Sequence, residues 1–186
     1  MIKLYRYDIS AMTDEQYAQL AARHSAALGA RLSRMAHLQD RKRSLAGHLL
    51  ILQAAEELCG ATDPVLLRTP QGKPYFADLP IRFSLSHSGE RVILAVSQKE
   101  IGADVEQILP RPLALAKRFF TAREQAYVFS AAGDDALLRF YEVWTKKEAY
   151  GKWQGSGIDA ARAADTTALS FYTENDGGYI LAVYEE

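Results

Sequence analysis

Asp104 and Glu106 stand two apart in IGADVE, a stretch that otherwise reads as a strand. Strand side chains alternate, so the two carboxylates share a face with Gly102, while Ile101, Ala103 and Val105 turn into a core. Asp and Glu are poor strand formers, and carboxylates one pleat apart repel unless a cation sits between them. Without a cysteine or histidine cluster, such hard oxygen ligands suit Mg2+ or Mn2+; a solvated polar strand edge is the plainer alternative. Glu148 lies in WTKKEAYGK, four residues after Trp144 and four before Lys152, so the three share a helical face. An exposed Glu–Lys pair, worth about 0.3–0.5 kcal/mol, explains that spacing. The aromatic neighbour argues instead for partial burial, and a third carboxylate beside Asp104 and Glu106 completes an oxygen-ligand set.

Other segments carry weaker signals. Ser86-His87-Ser88 invites a serine–histidine dyad, but adjacent strand residues face opposite sides, so neither serine is delivered to His87. A core histidine and a donor to phosphate both fit. Lys73 sits in the turn QGKP, stiffened by Pro74, as an exposed lysine or a point charge for phosphate; there is no GxxxxGK[ST] loop. Thr121 and Glu124 form a capping box that accounts for Glu124 structurally. Arg31, Arg34, Arg41, Lys42 and Arg43 face a single acid, Asp40, between positions 31 and 43. That reads as a solvated helix face or as an anion site.

The elements that must hold these groups follow from periodicity and punctuation. IKLYRYDI reads as a strand, and a Thr13/Gln16 capping box opens a helix through about Leu28. A second helix runs from about Asp40 to Leu58, with Leu45, Leu49 and Leu52 on one face and Gly60 as its stop. The proline- and glycine-rich residues 61–80 read as a loop. Phe83–His87 and Val92–Val96 form a hairpin, followed by the strand Ile101–Glu106. Pro110 and Pro112 mark a boundary, giving halves 1–108 and 109–186. Beyond it, Leu113–Phe120 is a short helix, Thr121 opens another, and a long helix runs from Asp134 or Asp135 to about Lys152. Residues 168–186 close as a second hairpin across Gly177-Gly178. VILAV at 92–96 and YILAV at 179–183 occupy similar places in the two hairpins. The expected fold is α+β: two pseudo-symmetric halves, each a small antiparallel sheet packed against a long helix.

With 186 residues, 48% hydrophobic and 24% charged, the chain is an ordinary globular protein. A net charge of −1 argues against a nucleic-acid binder. The single cysteine, Cys59, makes no internal disulfide. The N-terminus lacks the features of a signal peptide, and no apolar run spans a bilayer. The expectation is a cytoplasmic protein without membrane contact.

Taken in order, GKP, SHSG, G-x-D-x-E, RFF-x-x-x-E and W-x-x-KE-x-x-x-K resemble the 4′-phosphopantetheinyl transferases, in particular the larger, surfactin-synthetase-activating class that joins two similar halves in one chain. The resemblance runs from about Arg43 to Gly157. It implies transfer of phosphopantetheine from coenzyme A to a serine of an apo acyl or peptidyl carrier protein, with release of 3′,5′-ADP. Asp104, Glu106 and Glu148 match the ligands of Mg2+, with Mn2+ also suited. Asp104 thereby borders the coenzyme, and Lys152 matches the lysine that neutralises the transferring phosphate. Ser86 and His87 match contacts to the 3′-phosphate side of coenzyme A, Lys73 and Pro74 the loop beside its adenine, and Arg43 an arginine from the second helix. Glu124 matches a further acid near the metal. Glu148 is the candidate base for the carrier serine, with Glu124 second. The resemblance implies a monomer. Where a serine is common after the KE pair this chain has Ala149, and it is shorter than most of the class. A coenzyme A or carrier-binding protein of the same fold without turnover, and a metal-dependent phosphoesterase on another fold, are the other classes these carboxylates admit.

Overall fold

The computed structural model describes residues 1–24 and 26–186. The first half begins with β1 (Lys3–Asp8). The helix expected from Thr13 to Leu28 is instead two: α1 (Asp14–Ala22), opened by the Thr13/Gln16 capping box, and α2 (Ala26–Ser33). The first ends early because Arg23 turns its N–H back onto the Leu20 and Ala21 carbonyls. Helix α3 (Leu38–Cys59) follows and stops at Gly60, whose φ of 68° a side chain would resist. Residues 61–80, expected as a loop, contain a small hairpin of β2 (Leu66–Arg68) and β3 (Pro74–Phe76). Pro70 and Gly72 mark its turn: Gly72 N–H bonds to the Thr69 carbonyl, and Thr69 N–H to that of Lys73. β4 (Arg82–Ser88) and β5 (Arg91–Ser97) then form the predicted hairpin.

The second half repeats the plan. β6 (Ile101–Gln107) leads through α4 (Ala116–Phe119) and α5 (Ala122–Phe129) to the long α6 (Gly133–Gln154), capped by Gly155. After α7 (Gly157–Ala161) come β7 (Tyr172–Asp176) and β8 (Tyr179–Glu185). The sheet orders are β1-β5-β4 and β6-β8-β7, all antiparallel. Each half is thus a strand, a helix of 22 residues and a hairpin whose second strand is central. VILAV and YILAV lie in those two central strands. By sheet membership β6, which a boundary at residue 108 assigns to the first half, pairs with β8 of the second.

The two sheets face each other, and α3 and α6 cover their outer faces. Leu45, Leu50 and Ala54 of α3 pack with Val92, Leu94 and Val96. Ile93 and Ala95 turn the other way, onto Ile101, Ala103, Val105, Leu181 and Val183. Phe140, Tyr141 and Val143 of α6 meet Ile180. β5 is buried on both faces, which explains its unbroken apolar run. Among the described residues no helix is long and apolar enough to cross a membrane.

Candidate active site between the two halves

Gly102 sets the site. A side chain there would collide with the Ala149 carbonyl and the backbone of Trp153, so only glycine lets α6 cross β6 this closely. The crossing carries Glu148 and Lys152 to the face of β6 that bears Asp104 and Glu106, as the strand and helix periods require. Lys152 Nζ donates to Asp104 Oδ1 at 2.7 Å and to Ser86 Oγ at 2.8 Å, and Ser86 Oγ donates to the same carboxylate oxygen at 2.7 Å. Asp104 Oδ2 is buried with no hydrogen-bond partner among the described residues. Glu106 is held at both oxygens, by Trp144 Nε1 at 3.1 Å and Ser88 Oγ at 3.0 Å.

Electrostatics record how close these carboxylates lie. Burial, then the charge of Asp104, pushes Glu106 above the usual carboxylate range. Glu148 is raised to about 7, first by burial and then by Asp104 and Glu106, against the opposing pull of Lys152 and Arg111. Among the described residues no three His, Cys, Asp or Glu side chains are already gathered as a metal cluster; Lys152 supplies the counter-charge to Asp104.

Ser86 and His87 part company, as adjacent strand residues must. Ser86 joins the carboxylates, whereas His87 turns toward Arg43 and Asp40. Desolvation, then the charges of Arg43 and Lys152, holds its imidazole below the usual value. Arg43 donates to the Gly89 carbonyl at 2.8 Å and to Asp40 at 2.5 Å. Lys73 Nζ reaches the Ile101 and Lys152 carbonyls at 3.3 and 3.1 Å, tying its turn to the other half.

Two cavities lie along β4, and the smaller reaches Lys152, the partner of Asp104. One, of about 410 Å3, is lined by Lys73, Pro74, Ser84, Leu85, Lys152 and Gly157. It shares Pro74 and Leu85 with a larger one, of about 930 Å3, which carries Arg31, His37, His48, Arg68 and His87. Arg31 Nε is buried without a hydrogen-bond partner among the described residues, and burial and the nearby Arg68 charge disfavour its cation. Two guanidinium groups lining one cavity favour an anion there. Of these residues, Arg31 belongs to the basic cluster noted in the sequence. Arg68 and His48 carry no signal there, because one sits in a segment that reads as loop and the other in an ordinary helical stretch.

Glu124 is placed apart from the carboxylates. Its side chain is 0% exposed and pairs with Lys147 Nζ at 2.8 Å. Its other bonds come from Thr121 and from the N–H and hydroxyl of Thr166. Lys147 in turn donates to the Ala161, Arg162 and Ala164 carbonyls. A carboxylate sealed in this way has no path to an incoming hydroxyl, so the second-base expectation for Glu124 finds no support in its surroundings. The structural role of Lys147, beside Glu148 in sequence, was not legible there.

A family model described as "4'-phosphopantetheinyl transferase, N-terminal" matches residues 11–99, and one described as "4'-phosphopantetheinyl transferase superfamily" matches residues 100–186. They divide the chain where the sheets do. A 4′-phosphopantetheinyl transferase of Bacillus subtilis is 36% identical over 129 residues, 67% of this chain and 57% of that protein. The transferase ffp of Bacillus subtilis is 32% identical over 150 residues, 79% of this chain and 67% of its own length. The transferase AcpT of Escherichia coli is 36% identical over 131 residues, 68% and 65% of the two chains. The chain spans about half to two thirds of the length of the curated relatives it matches. With both halves matched in order, the chain belongs to the 4′-phosphopantetheinyl transferase superfamily and, carrying two halves, to its larger, surfactin-synthetase-activating class.

Proposed function

We propose that this protein transfers 4′-phosphopantetheine from coenzyme A to a serine hydroxyl of an apo acyl or peptidyl carrier protein, releasing 3′,5′-ADP. The observation that carries the reading is the meeting of Asp104, Glu106, Glu148 and Lys152 in the cleft between the halves, beside cavities that present cations. Coenzyme A bears a pyrophosphate and a 3′-phosphate, so its site needs several positive groups. Arg31, Arg43 and Arg68 supply them on the first half, with His87 beside them as a hydrogen-bonding group, and Lys152 on the second.

Asp104, Glu106 and Glu148 fit a divalent oxygen-liganded ion. Asp104 Oδ2 is a buried acceptor with no donor among the described residues, and the charge of Asp104 disfavours the ionised forms of Glu106 and Glu148. Mg2+, or Mn2+, bound there supplies neutralising charge to the pyrophosphate. The protein's own part is positioning and charge, which dominate phosphoryl-type transfer. Lys152 Nζ, already directed into the cleft by Ser86, faces the position of a transferring or departing phosphate. Glu148 takes the proton of the carrier serine. Pro74 and Lys73 shape the wall where the two cavities join, and Lys73 keeps that wall fixed to the end of α6.

Incubation with coenzyme A, Mg2+ and an apo carrier, followed by weighing the carrier, tests the reading. A gain of one phosphopantetheine group is expected. Binding of coenzyme A with no gain on acyl or peptidyl carriers would leave a binding protein of the same fold.

A further inference from the structure

β4 and β6 do not exchange a backbone ladder; three alternate serines join them. Ser84 Oγ accepts from Ala103 N–H at 2.9 Å, and Ser88 Oγ accepts from Gln107 N–H at 3.1 Å. Edge donors of β6 that no strand pairs are thus satisfied by side chains of the other half. Ser86 and Ser88 donate hydrogen bonds from their hydroxyls to Asp104 and Glu106. Ser86 also answers to Lys152. Among the described residues the Ser88 hydroxyl bonds only to β6, and it sits at the hairpin turn whose Gly89 carbonyl Arg43 holds.

We propose that Ser88 is a positioning residue for metal binding: its hydroxyl, supplied by the first half, fixes the orientation of the Glu106 carboxylate in the second. This deepens the reading of Asp104, Glu106 and Glu148 as ligands, and rests on it. Among the described residues, Glu106 is otherwise held only by Trp144 Nε1, at the opposite oxygen. A single hydrogen bond leaves the carboxylate free to rotate; bonds at both oxygens, from opposite sides of the cleft, do not. Loss of the Ser88 hydroxyl also strips Gln107 N–H of its acceptor. Hydrogen-bond partners that orient a ligand in this way typically carry tenfold or more in metal affinity.

Ser84 provides the control, because it stitches the same two strands without touching a carboxylate. The experiment titrates Mn2+ into the protein with coenzyme A present, followed by electron paramagnetic resonance of the free ion, alongside thermal midpoints. Ser88→Ala is expected to weaken Mn2+ binding about tenfold, Ser88→Thr to restore it, and Ser84→Ala to lower the midpoint while keeping the metal affinity. If Ser88→Ala does not fold, Ser88→Val against Ser88→Thr makes the same comparison between near-isosteric side chains. Unchanged affinity in Ser88→Ala or Ser88→Val overturns the inference alone, as does an equal loss in Ser84→Ala. A wild-type protein that takes up no Mn2+ overturns the metal reading and this inference with it.

Discussion

Lys147 and Glu124 form an ion pair at 2.8 Å with neither side chain exposed. The pair joins α6 to the start of α5, and through the remaining bonds of Lys147 to the chain after α7. Removing one partner of such a pair strands the other in a low dielectric. Lys147→Met is expected to cost about 3–5 kcal/mol, seen as a large drop in thermal midpoint. Glu124→Gln keeps the shape of the cap and is expected to cost less. Assayed below its midpoint, it should load carrier at close to the wild-type rate per folded molecule. A fully folded Glu124→Gln protein that is a hundredfold slower would return Glu124 to the chemistry.

Coenzyme A should bind more weakly as salt rises, because its phosphates meet exposed and half-buried cations. Arg31→Ala is expected to weaken binding about ten- to a hundredfold, the range for a hydrogen bond to a charged group. Since Arg31 and Arg68 repel each other, the thermal midpoint without ligand should stay level or rise. Titration calorimetry with and without added KCl, set beside a melting curve, checks both. Weaker binding accompanied by a lower midpoint would make Arg31 a packing residue.

The carboxylate site was readable because it depends on two short periods: two residues along β6, and four along α6. That the two elements touch rests on Gly102, where a side chain would meet the α6 backbone. The hairpin β2–β3 was hidden because proline and glycine mark a loop and a tight turn alike; what decides is the pairing of Leu66–Arg68 with Pro74–Phe76. The early end of α1 rests on one residue's backbone geometry. Glu124 shows the opposite difficulty. Its capping box was visible, but its partners Lys147 and Thr166 lie 23 and 42 residues away. Only the fold shows that they seal it. Alternating serines in SLSHS read as a polar strand face, and nothing local reveals that they satisfy another strand's edge.

His48 gives the protein a pH dependence with a defined sign. Burial, then the charges of His24 and Arg31, lowers its pKa from 6.5 to about 4; the His24 ring meets it edge-on at 5.1 Å. The unfolded chain therefore binds a proton near pH 6.5 that the folded protein refuses until about pH 4. Stability from this group is present above the unfolded value and is lost as pH falls between the two. The full loss is at most about 3 kcal/mol. His48→Gln should flatten the urea-unfolding stability between pH 6.5 and 4 relative to wild type. An unchanged slope would assign the acid loss to other groups.

Asp104 and Glu148 should behave differently when removed, although both are proposed to hold the same ion. Asp104 is the counter-charge to Lys152 and the acceptor of Ser86, so Asp104→Ala breaks a network that the fold uses. Its thermal midpoint in EDTA should fall. Glu148 accepts no hydrogen bond from a described residue; burial and two like charges oppose its ionised form. Glu148→Gln removes that repulsion, and its midpoint in EDTA should stay level or rise. Transfer should be abolished in both, measured as the mass of a carrier incubated with coenzyme A and Mg2+ at a temperature where each variant is folded. A simple Glu148–Lys152 salt bridge predicts the reverse for Glu148: a lower midpoint, and transfer reduced only in proportion to the folded fraction. Glu148→Gln protein that is stable and still loads carrier at the wild-type rate would remove Glu148 from both the metal site and the proton transfer.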